Sequence, residues 1–441
     1  MIRDFSYQNP TRIHFGKSAM EKLPMELSQY GERVLLVYGK SSIKRIPCAH
    51  LTQQAGTPAH PDTASEDAHD KSVCSTCAPG QHRQSLYDHV LQVLREAGKQ
   101  VVELGGVSAN PRYSELAEGA RLAREHRVDL ILAVGGGSVI DCAKGISCAA
   151  YAEGDVWERY YVRQEKVDNP IIPVGSILTM AGTGSEMNSG SVITNEEQRL
   201  KIGRVYPLAQ VAPRFSILNP EFTYTVPKYQ MVSGIADIFS HLMEQYFSDE
   251  DDCTTDYLIE GVMRSLISAS RKALQNPQDY EARSNIMWCA TVALNKLLSL
   301  SKTEDWEVHM IEHQLGAYTD CAHGIGLAII SPAYYRHIYR YGLPRFVRFA
   351  QQVWGVEGPS KSPLKGDLME VGACPINQEQ IALAGIACLE AFFRELGIPS
   401  TLREVGATEA MLPQIAHSTT LGGGYKTLTA ADVETILREC Y

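Results

Sequence analysis

Short apolar runs closed by glycine alternate with helical stripes through the first half of the chain. The run from Arg33 to Tyr38 ends at Gly39, that from Gln100 to Leu104 at Gly105, and that from Asp129 to Val134 at Gly135. A fourth spans Ile171 to Gly175. Between them, Ser114 to Arg127 carries Leu116, Ala120 and Ala123 on one helical face. Strands alternating with helices predict βαβ units and a parallel sheet. Ligands of such sheets bind outside the strand carboxyl ends.

After Pro220 the period changes. Amphipathic stretches at Tyr229–Phe247, Thr254–Leu274, Tyr280–Leu300 and Trp306–Tyr318 predict helices, and strand signals almost vanish. The pattern divides the chain into an α/β domain over 1–220 and an all-helical domain over 221–441. Two stretches break it: 46–84 and 356–378, both rich in turn-forming residues and expected to be loops.

Composition narrows the class. A chain of 441 residues, 44% hydrophobic and 21% charged, is an ordinary globular protein with room for a large core. Its net charge of −10 argues against nucleic-acid and anionic-membrane partners. The N-terminus lacks an apolar signal region, and no apolar run is long enough to span a bilayer. Eleven scattered cysteines read as reduced core thiols in a cytoplasmic protein.

The helical half carries the chemistry. Asp237 and His241, and His309 and His313, are pairs at i, i+4, each on one helix face, and His323 follows ten residues later. Imidazoles with one carboxylate suit a divalent transition metal and can leave a position open for substrate. His309 to His313 also spells the inverted zinc-peptidase motif, in which both histidines ligate and Glu312 is a base. Spacing alone leaves both ligand sets open.

In the α/β half, Gly135-Gly136-Gly137-Ser138 joins a strand to a helix, where backbone N–H groups and the helix N-terminus suit a pyrophosphate. A tight turn is the plain alternative, since the GxGxxG pattern is absent. Asp141 and Lys144 follow at helical spacing and by themselves read as a surface ion pair. Thr179, Thr183 and Ser185 form a second polar loop that offers hydroxyls to ribose or phosphate.

Taken together these segments resemble the iron-dependent (group III) alcohol dehydrogenases, in their butanol dehydrogenase-like branch. The residues that carry the resemblance are Gly135 to Lys144, Thr183 to Glu186, Gly234 to His241, Trp306 to His313 and Cys321 to Gly326, in the family's order over nearly the whole chain. The resemblance implies a dehydroquinate synthase-like architecture, a dinucleotide-binding α/β domain followed by a metal-binding helical domain, and at least a homodimer. It implies that Asp237, His241, His309 and His323 bind the metal, with Fe²⁺ favoured and Zn²⁺ possible. His313 then stands beside the metal, near nicotinamide and substrate, which decides against the peptidase reading. Three imidazoles and one carboxylate leave a divalent ion a single positive charge, suited to polarising an aldehyde carbonyl or stabilising an alkoxide. Hydride passes between substrate and nicotinamide, and His313 relays the proton.

Family members that prefer NAD often carry aspartate where this chain has Gly39. Glycine leaves room for a 2′-phosphate, and Lys40, Ser41 and Ser42 can pair with one, so NADP(H) is expected over NAD(H). Lys201 matches a family lysine near the cofactor. The expected reaction is reduction of a small aldehyde or oxidation of a small primary alcohol. Phe239, Trp306, Tyr318 and Met187 are candidate pocket walls, each reading first as core packing. The 46–84 insertion departs from the family. Its Cys74 and Cys77, with Cys48 and nearby histidines, lack a second well-spaced pair and read as a loop rather than a second metal site. Two alternatives belong to other classes: a lyase of dehydroquinate synthase type, and a non-catalytic assembly protein.

Overall fold

Continuous apolar runs become the centre of a parallel sheet because helices cover both of its faces. The computed structural model describes residues 3–40, 42–47, 84–248, 253–357 and 377–441. In chain order the first elements are β1 (Arg12–Phe15), α1 (Leu23–Leu27), β2 (Arg33–Gly39), α2 (Leu86–Glu96), β3 (Gln100–Val107), α3 (Tyr113–Glu125), β4 (Leu130–Gly135), α4 (Gly137–Ala149) and β5 (Val174–Leu178). A hairpin, β6 (Gly190–Asn195) and β7 (Leu200–Val205), follows, then α5 (Leu208–Val211) and β8 (Phe215–Leu218). Six strands form one parallel sheet in the order β1-β8-β5-β4-β2-β3.

The chain runs from β2 outward to β3 on one side and from β4 to β5 on the other. Strand order therefore reverses between β2 and β4, which is where open α/β sheets bind ligands. Gly39 and Gly135 end those two strands. One core packs α3 and α4 on one face of the sheet; a second packs α1 and α2 on the other.

From Lys228 onward the regular elements among the described residues are all helices. The elements are α6 (Lys228–Tyr246), α7 (Thr254–Gln275), α8 (Tyr280–Leu294), α9 (Glu307–Thr319), α10 (His323–Ile338), α11 (Leu343–Trp354), α12 (Gln378–Leu396), α13 (Leu412–Ser418) and α14 (Ala430–Glu439). Almost all of α6 is buried, so it runs through the centre of this half. Among the described residues no helix is long and apolar enough to cross a membrane.

Two expected boundaries move. The fourth apolar run enters the ladder only at Val174, because Pro173 has no N–H to donate; its carbonyl accepts from Ile131 at 3.0 Å instead. The helix expected to reach Leu300 stops at Leu294, and Lys296 and Ser301 beyond it take left-handed backbone angles. The hairpin was not expected. It is wedged between α4 and α9, and so joins the two halves. Residues 48–83 of the inserted segment, with Cys48, Cys74, Cys77 and its histidines, lie outside the described residues, as does Ser41.

Candidate active site

Three helix segments converge on one carboxylate oxygen. Asp237 and His241 lie on buried α6, His309 and His313 on α9, and His323 opens α10. Asp237 Oδ1 is 3.3 Å from His241 Nε2, 3.8 Å from His309 Nε2 and 3.7 Å from His323 Nε2. Donor atoms of Asp237, His309 and His323 lie within 4.8 Å of one another, and the His241 ring stacks on His309 with centroids 4.9 Å apart. Asp237 Oδ1 and His309 Nε2 are buried without a hydrogen-bond partner. Orphaned polar atoms of this kind are costly unless a further group takes them, and a cation among them fits the donor set.

Two glutamates orient the imidazoles: Glu244, which spacing did not flag, and Glu312, which it flagged only as the base of the peptidase motif. Glu244, one helical turn beyond His241, accepts from His309 Nδ1 through Oε2. Its Oε1 accepts the N–H groups of Val308 at 2.7 Å and His309 at 3.2 Å, so a side chain of α6 caps α9. Glu312 accepts from His323 Nδ1 and from Lys201 Nζ at 3.2 Å. With Nδ1 of both rings engaged by carboxylates, each Nε2 is left facing Asp237, where a cation would displace any proton on it. Glu312, His313 and His323 form a second grouping of possible ligands. A cation there would face the Lys201 ammonium, whose Nζ lies 3.4 Å from His323 Nδ1.

The surroundings set the charges. Burial raises the Asp237 carboxyl and the neighbouring imidazoles more than reverse it, to about 2. Burial lowers His241 to about 4. Burial also lowers His309, but Glu244 and Asp237 on either side carry it up to about 10. His313 and His323 are lowered well below the usual imidazole value by burial and then by Lys201.

Two cavities meet at this cluster. The larger, about 760 Å³, runs from Gly39 and Lys40 past the glycine loop to Asp237 and His323. Gly136, Gly137, Ser138, Thr179 and Thr183 all line it. A side chain at Gly137 would overlap Thr183, so glycine lets the two polar loops touch. A side chain at Gly234 would overlap the Ala181 carbonyl, and its absence seats the second loop directly against α6. Asn110 spans the cleft, donating to Asp320 Oδ1 at 2.8 Å. Among the described residues that line the cleft, the only carboxylates are Asp237 and Asp320, both at the metal end. Arg45, which the sequence did not single out, lines the opposite end with Gly39 and Lys40.

Other expected cofactor residues sit elsewhere. Gly135 closes β4 beneath the loop, where its carbonyl accepts from Thr179 N at 3.0 Å. Asp141 and Ser185 line the smaller cavity, about 360 Å³, and bond to each other. Lys144 is no surface residue: fully buried, it donates to Ser185 at 2.8 Å, Asn188 at 3.0 Å and the Gly190 carbonyl at 2.9 Å. Lys201 also faces the smaller cavity, committed to Glu312. Ser42 opens a short turn after β2. His241, His309 and His313 border the smaller cavity, and His313 Nε2 is buried without a partner. Of the four candidate walls only Trp306 lines it; Phe239 packs among Trp354, Phe392 and Phe393, and Tyr318 and Met187 line neither cavity.

Comparison with known proteins gives consistent relatives over the full length. The family profile described as iron-containing alcohol dehydrogenase matches residues 50–220, and that for the C-terminal region of the same family matches 231–441. The chain is 37% identical to the probable NADH-dependent butanol dehydrogenase 1 of Bacillus subtilis, covering 99% of both proteins. It is 32% identical to the NADPH-dependent aldehyde reductase YqhD of Escherichia coli, covering 94% of this chain and 92% of that one. Its fold superposes on the crystal structure of NADH-dependent butanol dehydrogenase A from Thermotoga maritima with a TM-score of 0.82 and 31% identity, covering 100% of this chain and 99% of that one.

Proposed function

The chain belongs to the iron-containing alcohol dehydrogenase family, as an alcohol dehydrogenase or aldehyde reductase that uses a nicotinamide cofactor, and on that premise we propose that it reduces short aldehydes with NADPH at a divalent metal held by Asp237, His241, His309 and His323. The observation that carries the ligand set is the convergence of three Nε2 atoms on the unpartnered Asp237 Oδ1. Fe²⁺ is the family's metal, and N/O donors of this kind also accept Zn²⁺. A metal there supplies Lewis-acid polarisation of a carbonyl oxygen. The nicotinamide supplies the hydride.

The chain's own residues do the rest. Residues 1–220 hold the cofactor and 221–441 the metal, with the reacting atoms where the two cavities meet. The N-terminus of α4 faces the larger cleft, so its free N–H groups and dipole suit the pyrophosphate. Thr179 and Thr183 stand beside it. Asp141, Ser185 and Lys144 brace the second polar loop from beneath, and Glu186 ties it to α8 through Thr291 Oγ1 at 2.6 Å. Counting Glu244, Glu312 and Lys201 with the ligands brings a divalent site from a single positive charge to neutrality. His313 moves the proton between product oxygen and solvent.

The oriented imidazoles give a first expectation. In Glu244→Gln an amide N–H replaces an acceptor at His309 Nδ1, which favours the tautomer with its proton on Nε2. Metal affinity, read by competition with a chromophoric chelator, falls by about 10–100-fold. Unchanged affinity removes Glu244 from this role.

NADPH is favoured over NADH because Lys40 and Arg45 line the end of the cleft reached past Gly39, where no carboxylate stands among the described residues. The relatives themselves are named for NADH in some cases and NADPH in others. A charged hydrogen bond to phosphate contributes about 1.5–3 kcal/mol, so Arg45→Ala lowers kcat/KM for NADPH by about 10–100-fold and leaves NADH nearly unchanged. Equal losses with both cofactors contradict the assignment. The cytoplasmic setting is read from the cysteines, seven of which are free among the described residues. Assembly as at least a homodimer rests on the family resemblance.

Consumption of NADPH absorbance with butanal, abolished by chelation and restored by Fe²⁺ or Zn²⁺, tests the function. Full-length similarity to dehydrogenases and reductases weighs against the lyase and assembly alternatives. Absence of nicotinamide turnover with every metal would reinstate them.

A further inference from the structure

The connection between α8 and α9 forms one wall of the smaller cavity. It contains three non-glycine residues with left-handed backbone angles, Lys296 (φ 72°), Ser301 (φ 66°) and Trp306 (φ 69°). A bulky side chain rarely takes that conformation, and it persists where the surroundings fix it. The surroundings of Trp306 do so. Its indole N–H donates to Glu304 Oε2 at 3.0 Å, and Glu304 receives Lys296 Nζ at 3.2 and 3.3 Å. Its neighbour Asp305 is pinned by Tyr334 at 2.6 Å and by a backbone bond to Glu244 at 2.9 Å. The Trp306 carbonyl accepts from Met310 at 3.0 Å in the first turn of α9.

This arrangement places the indole against the candidate ligands. Its centroid is 5.1 Å from the His309 ring and 6.0 Å from the His241 ring, steeply inclined to both. Trp306 is only partly buried, and it lines the cavity together with Val192 and Val205 of the hairpin. A carbon chain whose carbonyl reaches the imidazole cluster through this cavity lies in a space that the indole helps to bound beside His309 and His241. The ring cannot swing aside without breaking its bond to Glu304.

We propose that Trp306, clamped by Glu304 and Lys296, is the specificity-determining residue that admits unbranched aldehydes and rejects α-branched and aromatic ones. Removing the indole opens space beside the reacting carbon, where extra substituents would otherwise overlap it. Replacing indole by phenyl keeps a ring but removes the N–H that anchors it. Trp306 thereby acts on the substrate, and Glu304 and Lys296 are positioning residues acting through it. The inference rests on the aldehyde-reductase reading above.

The test compares kcat/KM for butanal, 2-methylpropanal and benzaldehyde in wild type, Trp306→Ala, Trp306→Phe and Glu304→Gln, with metal content measured on each. Wild type favours butanal. Trp306→Ala raises the ratio of branched or aromatic to linear substrate by about tenfold or more, the scale on which one extra group in an apolar pocket discriminates. Trp306→Phe and Glu304→Gln raise it less, and through KM rather than kcat. Should Trp306→Ala fail to fold or to load metal, the phenylalanine and glutamine variants carry the same comparison. Ratios within about twofold of wild type in metal-loaded variants overturn the proposal and leave the reductase reading standing. A wild type that turns over no aldehyde with either cofactor overturns both.

Discussion

His309→Ala yields a folded protein that retains no stoichiometric divalent metal and does not oxidise NADPH in the presence of aldehyde. Three facts make this the largest expected effect. His309 Nε2 is one of three imidazole nitrogens within 4 Å of Asp237 Oδ1, so its loss leaves at most three donors. It is the ring whose orientation Glu244 controls. Its N–H and that of Val308 are backbone donors to Glu244 and survive the substitution, so the cap on α9 remains. Lewis-acid stabilisation amounts to several kcal/mol, so turnover falls by about 10³-fold or more. Metal content by mass spectrometry and NADPH absorbance are measured on the same sample. Full activity in a metal-free variant contradicts the scheme.

His313→Ala separates the two readings of the motif that contains it. If His313 ligates with Glu312 and His323, its loss strips the metal. If it stands beside the metal and moves a proton, metal content stays full and kcat falls by about 10²–10⁴-fold, the contribution of general acid–base catalysis. The geometry favours the second outcome. Glu312 is already engaged by Lys201 and His323, a cation held there would face the Lys201 ammonium, and the His313 ring borders the cavity. Burial and the Lys201 ammonium hold the His313 pKa well below 6.5, so the neutral ring is resident at pH 7. A decline in kcat between pH 7 and 9 therefore does not arise from deprotonation of His313. Added imidazole restores part of the activity if the lost ring carries protons, and restores none if its role is to pack. Loss of metal from this variant would reassign the site.

The course of the chain from strand to helix was visible where burial is two-sided. The Leu-Val-Ile runs of β2 and β4 are covered on both faces, so apolar content alone marks them. The hairpin was hidden because its burial is partial and its buried side chains, Ile193 apart, are polar. Ser191, for example, is buried through hydrogen bonds to the Asp141 carbonyl at 2.8 Å and to Tyr161 at 3.0 Å. β1 and β8 have four residues each, too few to establish a period.

The metal candidates were visible as i, i+4 pairs on helices. The choice of His323 over His313 was not, because it depends on how α9 and α10 meet; the family resemblance supplied it. Glu244 did leave a signal: with Asp237 and His241 it completes an i, i+4, i+7 face of α6. Its partner lies on another helix, and sequence spacing does not report that. Arg45 escaped because the turn after β2 decides which basic side chains reach the cleft.

The central claim is hydride transfer at the meeting point of the two cavities, and isotope transfer tests it most directly. Wild-type protein loaded with Fe²⁺ or Zn²⁺ is given butanal and NADPH deuterated at nicotinamide C4 on the transferred face, and the butanol is analysed by mass spectrometry and NMR. The account predicts one deuterium at C1 of each butanol formed, and no labelled product from chelated wild type or from His309→Ala. Butanol without deuterium at C1, or full labelling by chelated protein, would contradict it.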